Sequence, residues 1–398
     1  MRRRKFCQYS TLGSASFLVN LGLLNHNRTE AFLSKSMNKK PIYDWIVLYW
    51  MPYDNNLSTF GTPILEMLTK GVKSDNILVV VQAKLRGAKN IFRTLINSEK
   101  VETKTLEDSN SASEEVFAEY LNWAKSQFDA KKWAIVCLGH GGRLDEISPD
   151  EHPISGVSSA TKWMNIQKLS NIITKFNNEV DNRIELFFFQ NCNKGTIEAN
   201  YTFRKTAKYT LSSQLELGAP NYYYEPLLKF LGSNPGINGG QLASKIMEFE
   251  ARDMYQSYTA VNNRAVAQLP AKINPLIDLV LSSNLKAIKT SQLRTYNNYK
   301  GDYKGDRFVD IVSFFETITK QLGLEQQKFS EFLEFLTNSL IYRVQKTGIM
   351  LGSSTEYQNL SGLGMLLPRS RSELEKYRYL EVFSDLKLVK LFDVILFN

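Results

Sequence analysis

Residues 133–142 (WAIVCLGHGG) decide the fold of this chain, because a continuous apolar run ends there directly in His140 between glycines. Residues 184–192 (IELFFFQNC) repeat the arrangement with a cysteine, Cys192, at the end. Short continuous apolar runs are typical of strands that are buried on both faces of a parallel sheet. The carboxyl ends of parallel strands meet at one edge of a sheet. We therefore expect His140 and Cys192, 52 positions apart, to lie side by side at that edge.

The segments around these two runs alternate between strand-like and helix-like patterns. Further apolar runs predict two more buried strands, and apolar residues at helical spacing predict helices that flank the sheet. The strands are expected at 45–50 and 76–82, and the helices at 113–128, at 163–176 and from about Gly195. Alternation of this kind indicates an α/β fold with a parallel sheet between helical layers.

Beyond about residue 223 the pattern becomes mainly helical. Helix-like spacing recurs at 241–254, 274–288, 308–322 and 326–340, and a last helix-like stretch runs to Phe397. The polar segments 107–112 and 141–159 are predicted to be loops. We divide the chain into an N-terminal signal and linker, a catalytic core, and a mainly helical C-terminal region that completes the fold, at residues 1–40, 41–235 and 236–398.

The net charge of +9 belongs mostly to the N-terminal segment. The first 40 residues hold eight lysines and arginines against one glutamate, so the rest of the chain is nearly neutral. A nearly neutral body argues against nucleic acid as a partner. A hydrophobic content of 43% and a total of three cysteines exclude a disordered chain and a disulfide-stapled scaffold.

The N-terminal segment has the features of an export signal. Arg3 and Arg4 are followed by Lys5 and Phe6, and a mildly apolar stretch covers residues 11–24. A basic start and a short, weakly apolar run are typical of a bacterial twin-arginine signal peptide, and the run is too short to span a bilayer. We expect twin-arginine export to the periplasm or the cell exterior, with no stable membrane span. The alternative is an intracellular protein with a basic tail.

A cysteine and a histidine at one sheet edge are the residue types that nucleophilic catalysis needs. The Cys192 thiolate would attack a carbonyl carbon, and the His140 imidazole would protonate the leaving amine. The backbone N–H groups of Gly141 and Cys192 are the expected oxyanion donors, since glycine lets the chain pass close to a substrate. A helix that begins after Cys192 would lower the thiol pKa through its dipole. Cys137, inside an apolar run, is expected to be packed and inert.

Agreement with one known family extends over most of the chain. Besides the His-Gly and Cys blocks, the matching features are Tyr49-Trp50-Met51, residues 54–57 (DNNL), Gly195 and Glu198, Ser213-Gln214, and residues 361–368 (SGLGMLLP). In these features the chain resembles the clostripain-type cysteine peptidases (peptidase family C11), from the clan of caspases, gingipains and legumain. The resemblance implies a caspase-like three-layer sandwich, a mostly parallel sheet flanked by helices with a helical C-terminal extension. It also implies that Cys192 is the nucleophile and His140 the general acid in peptide-bond cleavage.

The resemblance further implies cleavage after Arg or Lys, for which the specificity pocket needs a carboxylate. The family has an aspartate two residues before the cysteine, whereas this chain has the neutral Gln190. Glu216 is one candidate for the missing charge, and Asp145 and Glu146 are others. The residues expected to contact the substrate are Gln190, Ser213, Gln214 and Glu216.

The resemblance also bears on calcium dependence and on activation by cleavage. Some relatives depend on calcium, for which the candidate ligands here are Asp145, Glu146, Asp150 and Glu151; without EF-hand spacing, the sequence predicts no metal site. Relatives are often activated by a cut after a basic residue beyond the histidine. Between Arg143 and Lys162 this chain has neither lysine nor arginine, so self-cleavage there would have to use Arg143.

The sequence leaves two functions open. The first is an exported endopeptidase that acts on peptides or proteins. The second is a degenerate, non-proteolytic member that binds peptides or protein partners in the same crevice, which the unusual Gln190-Asn191 pair would allow. The presence of both Cys192 and His140 favours the first, because a pure binding module needs neither.

Overall fold

Three β-sheets are present in the part of the chain that the structure describes. This computed structural model describes residues 40–153, 160–251, 254, 256–283, 289–293, 295–297, 305–347 and 360–397. The strands are β1 (Ile42–Tyr53), β2 (Ile77–Leu85), β3 (Phe92–Ile96), β4 (Val101–Thr105), β5 (Asp129–Leu138), β6 (Glu146–Asp150), β7 (Lys162–Asn165), β8 (Ile184–Gln190), β9 (Tyr209–Ser213), β10 (Gln256–Asn262), β11 (Thr295–Asn297), β12 (Arg307–Asp310), β13 (Ile341–Thr347) and β14 (Gly364–Leu366).

The helices are spread along the chain and become denser after β9. The α-helices are α1 (Gly61–Gly71), α2 (Glu114–Gln127), α3 (Ile166–Glu179), α4 (Ile197–Phe203), α5 (Tyr224–Ser233), α6 (Gly239–Phe249), α7 (Asn263–Val266), α8 (Leu269–Leu281), α9 (Ile311–Gln321), α10 (Gln327–Phe335), α11 (Arg371–Glu375), α12 (Glu381–Asp385) and α13 (Leu388–Leu396). Short 3-10 helices cover Asn56–Phe60 and Thr290–Gln292, and a π-helix covers Leu336–Leu340. In the described part of the chain, no helix is both long enough and apolar enough to cross a membrane.

The main sheet contains nine of the described strands, in the order β13-β10-β9-β8-β5-β1-β2-β3-β4. Its centre, from β9 to β2, is parallel, and the two strands on each flank are antiparallel. The short connections from β2 to β3 and from β3 to β4 permit only antiparallel pairing. The predicted α/β class and three-layer architecture are confirmed, with a mixed rather than a purely parallel sheet.

Both faces of the central strands are buried, as the continuous apolar runs predict. Along β5 and β8, Ile135 and Phe187 pack into one core, whereas Val136 and Phe188 pack into the other. Residues of α2, α3 and α8 contribute to the first core, and residues of α1, α5 and α6 contribute to the second. This burial on two sides explains why the four predicted central strands match β1, β2, β5 and β8.

The prediction of a loop over 141–159 is wrong in its first part. Residues Glu146–Asp150 form β6, which pairs with β7 as an antiparallel ribbon. The ribbon is stable because Ile147 and Met164 reach the core from otherwise polar surroundings. β7 also takes the first residues of the helix predicted at 163–176, so that α3 begins at Ile166.

The C-terminal region is built into the same unit as the core. It contributes β10 and β13 to the main sheet, together with the three-stranded sheet β11-β12-β14. Residues Pro41–Asn398 form one compact unit. The boundary at residues 235 and 236 therefore remains a prediction, and the signal predicted at 1–40 lies, except for Lys40, outside the described residues.

Candidate active site

The site is built at the carboxyl ends of β5 and β8, which are neighbouring parallel strands. Leu138, the last residue of β5, pairs with Gln190, the last residue of β8. His140 and Cys192 each follow two residues later. Equal spacing from a matched register brings the two residues to the same point of the sheet edge, as the sequence predicts.

Asn191 connects the two strand ends. Its buried amide nitrogen donates to the carbonyl oxygens of Gly139 at 2.9 Å and of His140 at 3.3 Å, and to the Ser148 hydroxyl at 3.2 Å. The backbone N–H of Ser148 also donates to the His140 carbonyl, at 2.9 Å. The residue before the cysteine therefore fixes the backbone at the histidine.

Gly141 passes so close to Cys192 that no side chain fits between them. A Cβ atom at Gly141 would overlap the Cys192 carbonyl oxygen and would lie 2.9 Å from its carbonyl carbon. The Gly141 backbone N–H favours the thiolate form of Cys192 and so lowers the thiol pKa. The role of Gly141 as an oxyanion donor stays a prediction.

The Cys192 thiol is partly buried beneath the segment that follows β9. The backbone N–H of Leu217 donates to Sγ at 3.3 Å, and Sγ lies 3.8 Å from the Leu217 carbonyl oxygen. Burial raises the pKa of Cys192, and the charge of Glu216 adds to this effect, while Leu217 N–H, Gly141 N–H and Lys194 oppose it.

The helix expected to lower the thiol pKa begins later than its sequence position suggested. α4 starts at Ile197 with Thr196 as its N-cap, and the net shift of the thiol pKa is upward. Burial is the largest cause of this upward shift, and the contribution of the α4 dipole stays a prediction. The other described cysteine, Cys137, is fully buried within β5, as predicted, and burial also raises its pKa.

The His140 imidazole is directed at Asn56, a residue to which the sequence assigned no role in the site. Its Nε2 atom lies 2.6 Å from Oδ1 of Asn56, at the start of the first 3-10 helix. Burial lowers the pKa of His140, so the imidazole is neutral over most of the physiological range. In the sequence, Asn56 belongs to the family-like segment 54–57 (DNNL), which by itself does not indicate a contact with His140.

Lys194 is a second residue that sequence reasoning missed. Its side chain is fully buried, and Nζ donates to the backbone carbonyls of Arg143 and Leu144, in the loop after His140. Burial lowers the pKa of Lys194 to about 8. The lysine thus ties the loop after the histidine to the loop after the cysteine and places a positive charge near the thiol.

Gln190 lies in a buried polar network rather than at an open surface. Its amide nitrogen donates to Asn221 Oδ1 at 2.6 Å and to the Tyr224 hydroxyl, and its oxygen accepts from the Tyr223 hydroxyl at 2.7 Å. Asn221 donates onward to the buried carboxylate of Glu250 at 2.8 Å. A glutamine suits this position because it donates and accepts at once, which an ionised aspartate cannot do.

The other expected substrate-binding residues differ in their surroundings. The Ser213 hydroxyl is buried against the Ser257 hydroxyl, 3.2 Å away, and Gln214 bridges Asp310 at 2.9 Å and the Gly362 N–H at 2.9 Å. Both side chains are fully buried, and their polar atoms are engaged by these partners. Glu216 is half-buried, and its charge reaches the Cys192 thiol. Of the residues predicted to contact substrate, Glu216 is the one with a charge at the reacting atom.

The acidic residues after His140 are directed at separate partners. Asp145 accepts from the Tyr379 hydroxyl at 2.6 Å, and Glu146 accepts from the Arg143 backbone N–H at 3.0 Å. Asp150 pairs with Lys84 at 3.1 Å, and Glu151 pairs with Arg86 at 3.1 Å. In the described ranges, no three His, Cys, Asp or Glu side chains are grouped as a metal centre.

Most of the chain, including this site, matches a known protein family. The sequence model of the clostripain family, peptidase C11, matches residues 49–392, which include both strand ends. The chain belongs to the clostripain family. As a member of that family of cysteine endopeptidases, it is an enzyme that cleaves peptide bonds, and a peptide is its substrate.

Solved clostripain-family structures have the same fold. An inactive zymogen C11 protease from Parabacteroides distasonis is 16% identical, with a TM-score of 0.65, over 88% of this chain and 99% of that chain. A secreted C11 cysteine protease from Bacteroides thetaiotaomicron, in complex with an irreversible peptide inhibitor, is 17% identical, with a TM-score of 0.64, over 87% of this chain and 99% of that chain. No curated protein sequence matches the chain.

Proposed function

We propose that this clostripain-family enzyme cleaves peptide bonds with Cys192 as the nucleophile and His140 as the acid–base group. The observation that carries the proposal is the junction of the two strand ends, where Asn191 binds the His140 carbonyl and Gly141 passes against the Cys192 backbone. Sγ would lose its proton to the imidazole as it attacks the substrate carbonyl, and the imidazole would return that proton to the leaving amine. Water would then release the acyl group from the sulfur.

The buried thiol supports a reaction in which substrate binding precedes activation. Leu217 covers Sγ, and burial raises the thiol pKa. A peptide entering the site would have to replace the Leu217 contacts at the sulfur before the thiol can attack. The pair would then be neutral thiol and neutral imidazole at rest, rather than a preformed ion pair.

A library of fluorogenic peptides tests the dyad. Wild type and Cys137→Ala should cleave the same peptides at similar rates, because the Cys137 side chain is fully buried in a hydrophobic core. Cys192→Ala should show no turnover above the uncatalysed rate. Turnover by Cys192→Ala at the wild-type rate would contradict Cys192 as the nucleophile, and no turnover by wild type across pH and calcium concentration would favour the alternative of a non-proteolytic binding protein.

We also propose that cleavage follows Arg or Lys and that Glu216 supplies the charge that Gln190 lacks. Gln190 is neutral and engaged with Asn221, Tyr223 and Tyr224, whereas Glu216 is half-buried with its charge near the thiol. Glu216→Gln should lower kcat/KM for peptides with Arg or Lys at P1 by roughly 10- to 100-fold. For peptides with a neutral P1 residue, kcat/KM should fall much less. Glu151→Gln, on the β6 side of the site, is the matched control. An unchanged P1 profile in Glu216→Gln refutes this assignment.

Export is the third part of the proposal. The Arg3-Arg4 pair and the apolar stretch at 11–24 support a twin-arginine signal of a bacterium, and the relative from Bacteroides thetaiotaomicron is described as secreted. The mature enzyme would then act in the periplasm or outside the cell. Replacing Arg3 and Arg4 together by lysine should trap the precursor in the cytoplasm, and unchanged export would contradict the assignment.

A further inference from the structure

We propose that Asn56 is a positioning residue, which accepts a hydrogen bond from Nε2–H of His140 and so presents the Nδ1 atom to Cys192 and the substrate. The proposal rests on the proposed role of His140 as the acid–base group. Its basis is the 2.6 Å distance between His140 Nε2 and Asn56 Oδ1. No other residue of the 54–57 segment makes a bond to the ring.

The chemistry of the amide determines the direction of this bond. An amide oxygen accepts and cannot donate, so Nε2 must carry the proton. A neutral imidazole carries one proton in total, which leaves the Nδ1 lone pair unprotonated. Nδ1 can then take the proton of the Cys192 thiol as Sγ attacks and return it to the leaving nitrogen. Nε2 keeps its proton and its hydrogen bond to Asn56 throughout. The ring therefore does not rotate between the proton transfer from the thiol and the transfer to the leaving nitrogen.

Asn55 holds the backbone at Asn56 in place. The buried Asn55 side chain accepts from the Leu57 N–H at 2.9 Å and donates to the carbonyls of Pro52 at 3.0 Å and Pro149 at 3.2 Å. Pro149 belongs to β6, the strand that also binds the His140 carbonyl through Ser148. The backbone of His140 and the segment that carries Asn56 are therefore both hydrogen-bonded to β6.

A buried ion cluster anchors the same turn. Lys84 lies 2.8 Å from the Asp54 carboxylate and 3.1 Å from the Asp150 carboxylate, and all three side chains are excluded from solvent. His152 adds a contact to Asp54 at 3.0 Å. Removing one member of such a cluster leaves a buried charge unpaired, so the cluster strongly specifies the path of the chain into Asn56.

The neutrality of Asn56 matters for the reaction. Asp54, two residues earlier, is the carboxylate of this segment, and its charge is committed to Lys84 and His152. A carboxylate at position 56 would favour the imidazolium and hold the ring protonated on both nitrogens. The amide orients the ring without doing so, which leaves Nδ1 free to accept a proton.

Nitrogen-15 NMR of histidine-labelled protein tests the proposal without reference to activity. The chain has three histidines, His26, His140 and His152, and a His140→Gln variant assigns the ring of interest. The wild type should show neutral His140 protonated on Nε2, and Asn56→Ala should lose this preference. A ring protonated on Nδ1 in the wild type, or a tautomer unaffected by Asn56→Ala, overturns the proposal even if the enzyme is active.

Kinetics provide the second test. Asn56→Ala should lower kcat by roughly 10-fold or more with little change in KM, because the loss concerns ring orientation. Asn56→Asp should lose activity near neutral pH, because the carboxylate favours the imidazolium, and should move the His140 limb of the pH profile to higher pH by about 1–2 units, regaining activity above that limb. Equal kcat in Asn56→Ala and wild type, or identical pH profiles in Asn56→Asp and wild type, overturns the proposal.

A neighbouring variant separates positioning from stability. Asn56 is exposed, so Asn56→Ala should leave the melting temperature unchanged. Asn55 is fully buried and makes three hydrogen bonds, so Asn55→Ala should lower the melting temperature. A melting temperature that falls equally in both variants assigns Asn56 a merely structural role and contradicts the proposal.

Discussion

The ends of β5 and β8 lie side by side, yet they hold their reactive side chains in opposite ways. His140, beyond β5, is oriented by a side chain on another element, Asn56, at 2.6 Å. Cys192, beyond β8, is held by backbone groups, with the Leu217 N–H at 3.3 Å from Sγ. In the proposed mechanism the imidazole is already oriented for proton transfer, whereas the thiol is covered by Leu217. The difference teaches that, in this mechanism, substrate binding has to change the cysteine end of the site and can leave the histidine end as it is.

The largest expected effect concerns the histidine end. His140→Ala should lower kcat/KM by about 10²- to 10⁴-fold, the usual contribution of a positioned acid–base group. His152→Ala is the matched control, since His152 is half-exposed and bonds to Asp54 rather than to the sheet edge. Steady-state kinetics with one fluorogenic peptide compares the two variants. A loss of kcat/KM of similar size in His152→Ala would contradict the assignment of the acid–base role to His140.

The junction between the ends should give the next largest effect. In Gly141→Ala the new methyl group would overlap the Cys192 carbonyl, so one loop must move and the N–H must leave the sulfur. We expect kcat to fall by about 10²-fold, as for loss of one oxyanion donor. Gly236→Ala, where a Cβ meets open space, is the control. Unchanged kcat in Gly141→Ala would show that Gly141 supplies no N–H to the reaction.

The charge beside the thiol should have a smaller effect. Protonated Lys194 favours the Cys192 thiolate, so Lys194→Met should raise the thiol pKa, but only slightly, because burial lowers the pKa of Lys194 itself to about 8 and its charge is largely lost where the thiol titrates. The pH dependence of the rate of alkylation by iodoacetamide measures this pKa. Lys132→Met removes a lysine that also binds backbone carbonyls, but at the opposite end of β5, and should leave the alkylation profile unchanged. A lowered or unmoved thiol pKa in Lys194→Met would contradict this role of the charge.

The smallest effect on activity is expected at Glu198, in α4 behind the cysteine end. Burial raises its pKa from 4.5 to about 7, so the folded state loses stability as the pH rises from about 4.5 to 7. Glu198→Gln keeps the acceptor for the Leu366 N–H and removes the buried charge. Urea unfolding should show the variant more stable than wild type by up to about 3 kcal/mol at pH 8 and by about 1 kcal/mol or less at pH 5. A variant less stable than wild type at pH 8 would show that the charge is compensated.

The sequence predicts the centre of the fold because both faces of the central strands are buried. The runs at 133–138 and 184–189 have no polar alternation, and the side chains of β5 and β8 enter two separate cores. The short strands β4 and β6 carry no such signal. β4 is exposed throughout, and β6 reads as polar apart from Ile147. Such strands depend on neighbours that are distant in the sequence.

The positions of His140 and Cys192 at one sheet edge were likewise predictable, whereas the partners of the two side chains were not. His140 and Cys192 follow strand ends in register, which is a local pattern. The contact with Asn56 depends on how a buried ion cluster folds the end of β1 over the site. Lys194 would be expected at the surface from its charge, and its burial becomes tolerable through the carbonyls of the loop after His140 and the nearby charges of Asp145, Asp306 and Glu146.

The most direct test of the central claim is covalent labelling by irreversible peptidyl ketones with a range of P1 residues, followed by intact-protein and peptide mass spectrometry. Wild type and Cys137→Ala should each gain one adduct on Cys192 at similar rates, and His140→Ala should gain it far more slowly. Cys192→Ala should gain none. An adduct on Cys192→Ala, or equal labelling rates in wild type and His140→Ala, would contradict the account of Cys192 and His140 as the catalytic pair.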